Sequence, residues 1–197
     1  MTTTETTTGQ RISYNRTIGV AAMLGRGFYY PWASVVGTDK RLYVLGRGLD
    51  GDPRGVRVTV MDLDEGYYGN FGSYGRDDGQ FIWTCTIAQD RQERLFISDE
   101  YLNRITIMTT GGDFISKWGE TGDRDGQLNG PTGMTFNASD ELLVVDHNNS
   151  RVQKFTAEGK FLGKFGSSGD GDGQFNLPWG VWVDAADRIY VADWGND

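Results

Sequence analysis

The 197-residue sequence has no long apolar stretch, a single cysteine and a single histidine. No apolar run approaches the roughly 18 to 20 residues that cross a membrane, so no transmembrane helix is predicted. Residues 1–10, MTTTETTTGQ, lack the basic start and apolar centre of a secretory signal and are interpreted as a disordered Thr-rich tail. We therefore expect a cytoplasmic protein. A lone cysteine forms no internal disulfide, and the residues around Cys85 favour a strand with a buried, inert thiol.

Basic residues are also scarce, since 19 Lys and Arg stand against 27 Asp and Glu and give a formal charge of −8. Proteins that bind nucleic acids or anionic membranes do so chiefly through Lys and Arg on phosphate groups. The composition therefore argues against nucleic-acid and membrane partners and favours metal ions or basic partners. A hydrophobic content of 38% with 13% aromatic residues is typical of a globular chain.

A repeat of constant period organises the chain. The dipeptide Gly-Gln begins at residues 79, 126 and 173, and the differences 126 − 79 and 173 − 126 are both 47. The acids that close the apolar runs, Asp99, Asp146 and Asp193, have the same spacing of 47. A fixed period of this length indicates a repeat architecture, in which one supersecondary unit is copied and neighbouring copies bury each other's faces.

Each repeat unit is predicted to contain four β-strands and no helix. In the third unit the strands are 132–136, 141–146, 151–155 and 161–165, separated by turns rich in Asn, Asp, Ser and Gly. The second strand is almost continuously apolar, which predicts cover on both faces, whereas the third strand alternates and is expected nearer the rim. Small residues near the start of the first strand, such as Gly133 and Gly180, indicate a crowded axis. The sequence therefore predicts an all-β fold, a β-propeller of four-stranded blades.

Several motifs recur in register from one unit to the next. They are a GQF-N-x-P-x-G opening, a second strand that ends in VAD or VVD, N-x-R-V-Q-K-F, and G-K-F-L-x-K-F-G. This pattern resembles the NHL-repeat family over residues 11–197. The resemblance implies a propeller of the six-bladed type. The first unit departs most from the pattern, since Gly46 stands in the place of the closing Asp.

The chain is expected to form an incomplete ring. Complete blades are predicted at about 31–72, 84–119 and 131–166, with the start of a further blade at 178–197 and the last two strands of a preceding blade at 11–14 and 17–24. Six units of 47 residues would need 6 × 47 = 282 residues against the 197 present, so we expect a truncated chain. Open blade edges would favour self-association.

Chain direction predicts which loops share a face. The crossings between blades and the loops between second and third strands should lie on one face, which collects acidic and aromatic side chains. These candidate partner-binding residues are Asp77, Asp78, Asp123, Asp125, Asp170, Asp172, Tyr101, His147 and Trp194. Such a face suits a protein, a peptide or a small cationic ligand. The alternative is a solvated acidic rim that only promotes solubility.

Two features are compatible with metal binding, by calcium or by zinc. The Asp-x-Asp-Gly segments at 123–126 and 170–173 are similar to a calcium loop, but no Glu stands where such a loop has its bidentate ligand. An ordinary crossing between blades is the preferred interpretation. His147 follows Asp146, which could orient its imidazole for acid–base work or metal ligation. A surface histidine is the preferred interpretation here.

Family resemblance bears on the zinc hypothesis. Some propellers that resemble this family are zinc-dependent lyases, with histidines near the axis just after the residue that opens the first strand. The equivalent positions here are Trp32, Cys85, Thr132 and Trp179, none of which is histidine.

Two acid–base pairs flank four-residue hairpin loops. Asp99 with Arg104, and Asp146 with Arg151, should lie across from one another on neighbouring strands. Because the pair is copied from unit to unit, we interpret it as a structural clasp rather than a binding site.

These observations support two hypotheses about function. The first is a non-catalytic scaffold that binds a protein or ligand through rim loops on the acidic face, with no catalytic residue and no metal ligand. The alternative is a metal-dependent lyase or hydrolase, with calcium or zinc held at a site that further blades complete. The sequence favours the scaffold because no recognisable nucleophile, base or metal-binding set is present.

Overall fold

A computed structural model of the protein describes residues 3–5, 11–13, 17–19, 26–48 and 52–196. Its strands are β1 (Thr3–Glu5), β2 (Arg11–Ser13), β3 (Pro31–Val36), β4 (Arg41–Gly46), β5 (Val58–Asp62), β6 (Tyr67–Phe71), β7 (Ser73–Tyr74), β8 (Gln80–Phe81), β9 (Thr84–Gln89), β10 (Leu95–Asp99), β11 (Arg104–Met108), β12 (Phe114–Trp118), β13 (Pro131–Phe136), β14 (Leu142–Asp146), β15 (Arg151–Phe155), β16 (Phe161–Phe165), β17 (Pro178–Val183) and β18 (Ile189–Asp193). The helical segments in these ranges are single 3-10 turns at Pro53–Gly55 and His147–Asn149. Neither is long or apolar enough to span a bilayer.

The strands of each blade form an antiparallel sheet that is a simple meander, whereas the short strands β7 and β8 pair in parallel within the crossing before blade two. Three of the antiparallel sheets are four-stranded, in the orders β3-β4-β5-β6, β9-β10-β11-β12 and β13-β14-β15-β16, and they are blades one, two and three. The two-stranded sheet β17-β18 has the place of a fourth blade. This arrangement is the predicted all-β, partial β-propeller.

Local sequence explains the strand boundaries. In blade three, Asn137 ends the first strand because its Oδ1 accepts hydrogen bonds from the backbone N–H groups of Ser139 (3.0 Å) and Glu141 (2.9 Å). Asp140 completes the turn in the left-handed region, at φ 61°. The strands of blade three begin and end within one residue of the predicted bounds.

The first strands of successive blades pack against one another and are therefore the inner strands around the axis. They approach so closely that a Cβ at Gly133 would lie 2.7 Å from the Cα of Gly180. The predicted crowding of the axis is confirmed at this pair. A side chain at Gly133 would push the two backbones apart.

Apolar side chains fill the spaces between blades. Tyr43 and Leu45 of blade one pack in one cluster with Ile87 and Leu95 of blade two, and all four are buried. A second cluster joins blades two and three, and a third joins blade three to β17 and β18. Burial of a large side chain contributes about 1.5–3 kcal/mol, so these layers hold the blades together.

The third strand of blade two lies nearer the rim than the second, as predicted, but it is not exposed there. All five residues of β11 are buried, including Arg104 and Thr106. Its alternating pattern reflects polar side chains that are buried beneath the crossing rather than exposed to water.

The crossings, residues 72–81, 119–128 and 166–175, are built alike. The residue before the last in each crossing is the glutamine of the Gly-Gln motif, whose Oε1 accepts a hydrogen bond from a backbone N–H three residues earlier. The donors are Asp77 to Gln80 (3.0 Å), Arg124 to Gln127 (3.2 Å) and Gly171 to Gln174 (2.9 Å). The glycine of the motif has positive φ in each, at 73°, 85° and 74°. The Asp-x-Asp-Gly segments are therefore parts of these crossings.

The segment before blade one shares a glycine–phenylalanine contact with the crossing before β17. A Cβ at Gly19 would clash with the ring of Phe28, as one at Gly166 would clash with the ring of Phe175. Further towards the N-terminus, β1 pairs with β2. Three residues of the predicted tail lie in this hairpin, while the rest of 1–10, most of the strand predicted at 17–24 and residues 49–51 lie outside the described ranges.

Candidate functional site

The crossings and the loops between second and third strands lie on one face, which we call the crossing face. Arg151, at the start of β15, donates from Nη2 to the carbonyl oxygens of Arg124 (2.8 Å) and Gln127 (3.1 Å). Arg104 makes the equivalent bonds to the carbonyls of Arg76 (2.9 Å) and Gln80 (2.8 Å). Each arginine thus fastens a crossing to the third strand of the following blade.

All six candidate aspartates are exposed on the crossing face. Asp78 forms an ion pair with Lys117 (2.8 Å) and Asp125 with Lys164 (2.5 Å), both from fourth strands. Within the described residues, no ion pair involves the other four, which are Asp77, Asp123, Asp170 and Asp172. The rim therefore presents four unneutralised carboxylates.

Tyr101 lies on the same face, with 53% of its surface exposed. Its ring packs edge-on against Trp83 at 6.4 Å and carries the guanidinium of Arg76 at 5.2 Å. The hydroxyl also accepts a hydrogen bond from Arg76 Nη2 at 3.2 Å. Tyr101 is thus already in contact with a cation of its own chain.

The prediction of a surface histidine is wrong, because only 7% of His147 is exposed. Its ring packs edge-on against Trp179, 5.1 Å away, and Nδ1 lies 3.0 Å from the carbonyl oxygen of Pro178. A carbonyl only accepts hydrogen bonds, so Nδ1 carries a proton and donates it to this oxygen. His147 therefore belongs to the axis rather than to the rim.

The axis has its own set of variable side chains, which we call the axial positions. They follow the residue that opens the first strand or the residue that closes the second strand of each blade. They are Trp32, Arg47, Cys85, Glu100, Thr132, His147, Trp179 and Trp194. From the sequence, Trp32, Cys85, Thr132 and Trp179 were considered only as positions that lack a zinc-binding histidine. Arg47 and Glu100 were not identified as site residues. The repeat register could have revealed these positions, because their side chains differ from blade to blade while the motif on either side is constant.

Arg47 links the axial positions of blades one and two. Its guanidinium forms an ion pair with Glu100 at 3.0 Å and lies over the rings of Trp32 (4.7 Å) and Trp83 (4.8 Å). Two indole faces and one carboxylate hold this cation, which is largely buried. The structure thus contains a guanidinium bound in an aromatic cage.

Cys85 lies beside this ion pair and is 4% exposed. Its Sγ is 3.5 Å from Glu100 Oε2 and 3.6 Å from Arg47 Nη1. Burial is the main reason that the pKa of the thiol is raised well above its usual range, and Glu100 adds to the effect. The prediction of a buried thiol is confirmed.

A cavity of about 750 Å³ opens at the axis on the crossing face. Its lining is almost wholly apolar and consists of Trp32, Trp179, Val191, Ala192, Asp193 and Trp194. The three tryptophans come from axial positions in blades one and four. Trp194, which is 69% exposed, was predicted as a site residue from its loop, whereas Trp32 and Trp179 come together only in the folded chain.

The predicted clasp forms in blade three, where Arg151 Nε donates to Asp146 Oδ2 at 2.7 Å. In blade two no such ion pair forms between the described residues. Asp99 instead accepts from the backbone N–H groups of Ile82 (2.6 Å) and Trp83 (3.2 Å). Arg104 Nε and Thr106 Oγ1 are buried without a hydrogen-bond partner.

Among the residues that the structure describes, metal ligands do not converge on this face. Within the described ranges, no group of three or more His, Cys, Asp and Glu side chains is placed to hold an ion. The Asp-x-Asp-Gly carboxylates face outward from their turns, one of them towards Lys164. The described residues thus fit neither the calcium nor the zinc arrangement.

Comparison with known families gives a match to one family model, described as NHL repeat, over residues 128–155. This segment spans the opening, first, second and third strands of blade three. The protein carries an NHL repeat. Together with the four-stranded sheets, the match confirms the resemblance of the repeat motifs to NHL-repeat propellers. No curated protein matches the sequence.

Solved structures similar to this NHL-repeat chain share its fold at low identity. A catalytically inactive virginiamycin B lyase from Staphylococcus aureus, solved with quinupristin, is 16% identical with a TM-score of 0.62, and the match covers 98% of this chain and 56% of that one. A nidogen/laminin complex is 18% identical with a TM-score of 0.59, covering 83% and 56%. A protein of unknown function from Bacteroides thetaiotaomicron is 21% identical with a TM-score of 0.63, covering 85% and 43%. The chain thus spans about half the length of these structures.

Proposed function

We propose that the protein is a non-catalytic binding module that engages a cationic protein, peptide or small ligand on the crossing face. The observation that carries this proposal is the set of four exposed aspartates on the crossing face that have no basic partner among the described residues. Unneutralised carboxylates on one face attract a basic partner and raise its rate of encounter. The net charge of −8 also favours a basic partner.

Affinity on such a face comes from several weak contacts. An exposed ion pair contributes about 0 to 1 kcal/mol, so one aspartate is not enough to hold a partner. The ion-paired Asp78 and Asp125 contribute less, because a ligand would first have to displace Lys117 or Lys164. Binding should therefore depend on the four unpaired aspartates together and should weaken with added salt.

An oligolysine peptide tests the proposal by titration at low and high ionic strength. The variant changes the four unpaired aspartates, Asp77, Asp123, Asp170 and Asp172, to Asn. We expect it to bind roughly tenfold more weakly than the unchanged protein at low salt. High salt should remove most of this difference.

A matched control changes four exposed acids of the opposite face to amides, namely Glu65, Glu93, Asp113 and Asp187. They lie in turns between first and second or third and fourth strands, at the other ends of the blades. The net charge changes equally in both variants, so only position distinguishes them. Equal loss in both variants, or binding that ignores salt, would contradict a role for the crossing face.

A metal-dependent lyase or hydrolase is the alternative, and one observation favours keeping it. Because Nδ1 of His147 donates to the carbonyl of Pro178, Nε2 is the ring nitrogen left to act as a base or metal ligand at the axis. Metal-stimulated turnover of an ester, lactone or peptide that is lost in His147→Gln would support this alternative over the scaffold.

A further inference from the structure

The axial cavity combines three indoles with one carboxylate. Trp32, Trp179 and Trp194 reach it from three separate segments, and Asp193 contributes the charged group of the lining. Its volume of about 750 Å³ lies in the range of small-molecule sites. The cavity is thus large enough for an organic molecule of modest size.

Electrostatics favour a cation over a neutral apolar ligand. The face of an indole ring is negative, and Trp32 already carries the guanidinium of Arg47 at 4.7 Å. Asp193 adds a formal negative charge at the cavity wall. Its carboxylate accepts hydrogen bonds from Asn176 N (2.8 Å) and Asn196 Nδ2 (2.7 Å), and within the described chain it has no basic partner.

The chemistry of the lining also favours an organic cation over a metal ion. Indole rings and the side chains of Val191 and Ala192 supply no lone pairs to replace the water ligands of a metal. A quaternary ammonium group holds its water weakly and binds to aromatic faces without needing hydrogen-bond acceptors. Its methyl groups also suit the apolar remainder of the wall.

We infer that the axial cavity binds an organic cation of the quaternary or methylated ammonium class, with Trp32, Trp179 and Trp194 around the charged group and Asp193 as its counter-charge. This inference rests on the proposed binding function of the crossing face and names the ligand class for its axial part. The aspartates of the rim attract cations of any kind, whereas the tryptophans select the apolar ones.

Choline chloride and its neutral isostere, in which a tert-butyl group replaces the trimethylammonium group, form the test. Both are titrated against the 197-residue chain at constant ionic strength while calorimetry and tryptophan fluorescence are recorded. The two ligands have nearly the same shape, so any difference reports the charge. We expect choline to bind at least about tenfold more tightly than the isostere.

Trp194→Leu should abolish this preference for choline. Trp194 is 69% exposed, so its loss leaves the core intact. The matched control is Trp182→Leu, since Trp182 is also exposed, at 59%, but stacks on Tyr190 outside the cavity lining. The control variant should bind choline as the unchanged protein does.

Each result decides the inference. Equal binding of choline and the isostere, no binding of choline, or choline binding that survives Trp194→Leu would overturn it. The oligolysine titration separates this failure from failure of the proposed function, since the peptide depends on the rim aspartates and not on Trp194. If the unchanged protein does not bind choline but binds the peptide through the rim aspartates, only the inferred ligand class is refuted.

Discussion

Cys85 is the second residue of the inner strand β9 and lies beside the Arg47–Glu100 ion pair at the axis. The thiolate is the nucleophilic form of cysteine, and both burial and the neighbouring Glu100 disfavour it. The adjacent Arg47 acts in the opposite direction, but the effect of burial is larger. The only thiol of the chain is therefore held in its unreactive state.

Alkylation of Cys85 by iodoacetamide should be at least about tenfold slower in the native protein than in urea at the same slightly alkaline pH. In urea the thiol is exposed and its pKa returns to its ordinary value, so more thiolate is present. The rate is measured by mass spectrometry of the intact chain. Similar rates in the two conditions would show that the thiol is accessible in the folded state.

At the scale of the strand, two buried threonines differ in one hydrogen bond. Thr106 of β11 and Thr132 of β13 are both 0% exposed. Thr132 Oγ1 donates to the carbonyl of Trp179 at 2.8 Å, whereas Thr106 Oγ1 has no partner. In blade three the position of Thr106 is taken by Gln153, whose amide bonds the carbonyl of Gln127 and the carboxylate of Asp146. The shorter Thr106 does not make these contacts.

Replacement of each threonine by valine should therefore have opposite effects. Thr106→Val removes a hydroxyl that is buried without a partner, and we expect stability to rise by up to about 1 kcal/mol. Thr132→Val removes a satisfied hydrogen bond and should lower stability by about 1 kcal/mol. Urea unfolding of the two variants measures both changes. A loss of stability in Thr106→Val would show that its hydroxyl has a partner such as a buried water.

At the scale of the whole molecule, the sheet β17-β18 differs from the blades before it. Every residue of β14 is buried, whereas no residue of the equivalent β18 is. Trp182 and Tyr190 stack on each other but remain 59% and 48% exposed. A large apolar face of this kind usually marks an interaction surface.

The 197-residue chain should therefore self-associate as its concentration rises. Light scattering after size-exclusion chromatography measures the mass across a dilution series. Paired changes Trp182→Ser and Tyr190→Ser should shift the chain towards monomer, because they remove the exposed stack. A monomer at all concentrations in the unchanged chain would contradict this expectation.

Strand positions in the blades were predictable from the sequence because they depend on local rules repeated at a fixed period. A turn such as 137–140 needs only an Asn side chain and one residue with positive φ, and both are read directly from the chain. The face shared by the crossings was likewise predictable, since chain direction alone determines it. Neither feature depends on which blades meet across the axis.

Tertiary structure alone decided the burial of β11, the environment of His147 and the axial cavity. These features depend on residues far apart in sequence that the fold brings together, such as Trp32, Trp179 and Trp194, which line one cavity. A repeat pattern describes what the blades have in common, and it cannot show which of the differing side chains meet at the axis. The sequence by itself therefore determined the propeller and its acidic face, whereas packing between blades decided the chemistry at its centre.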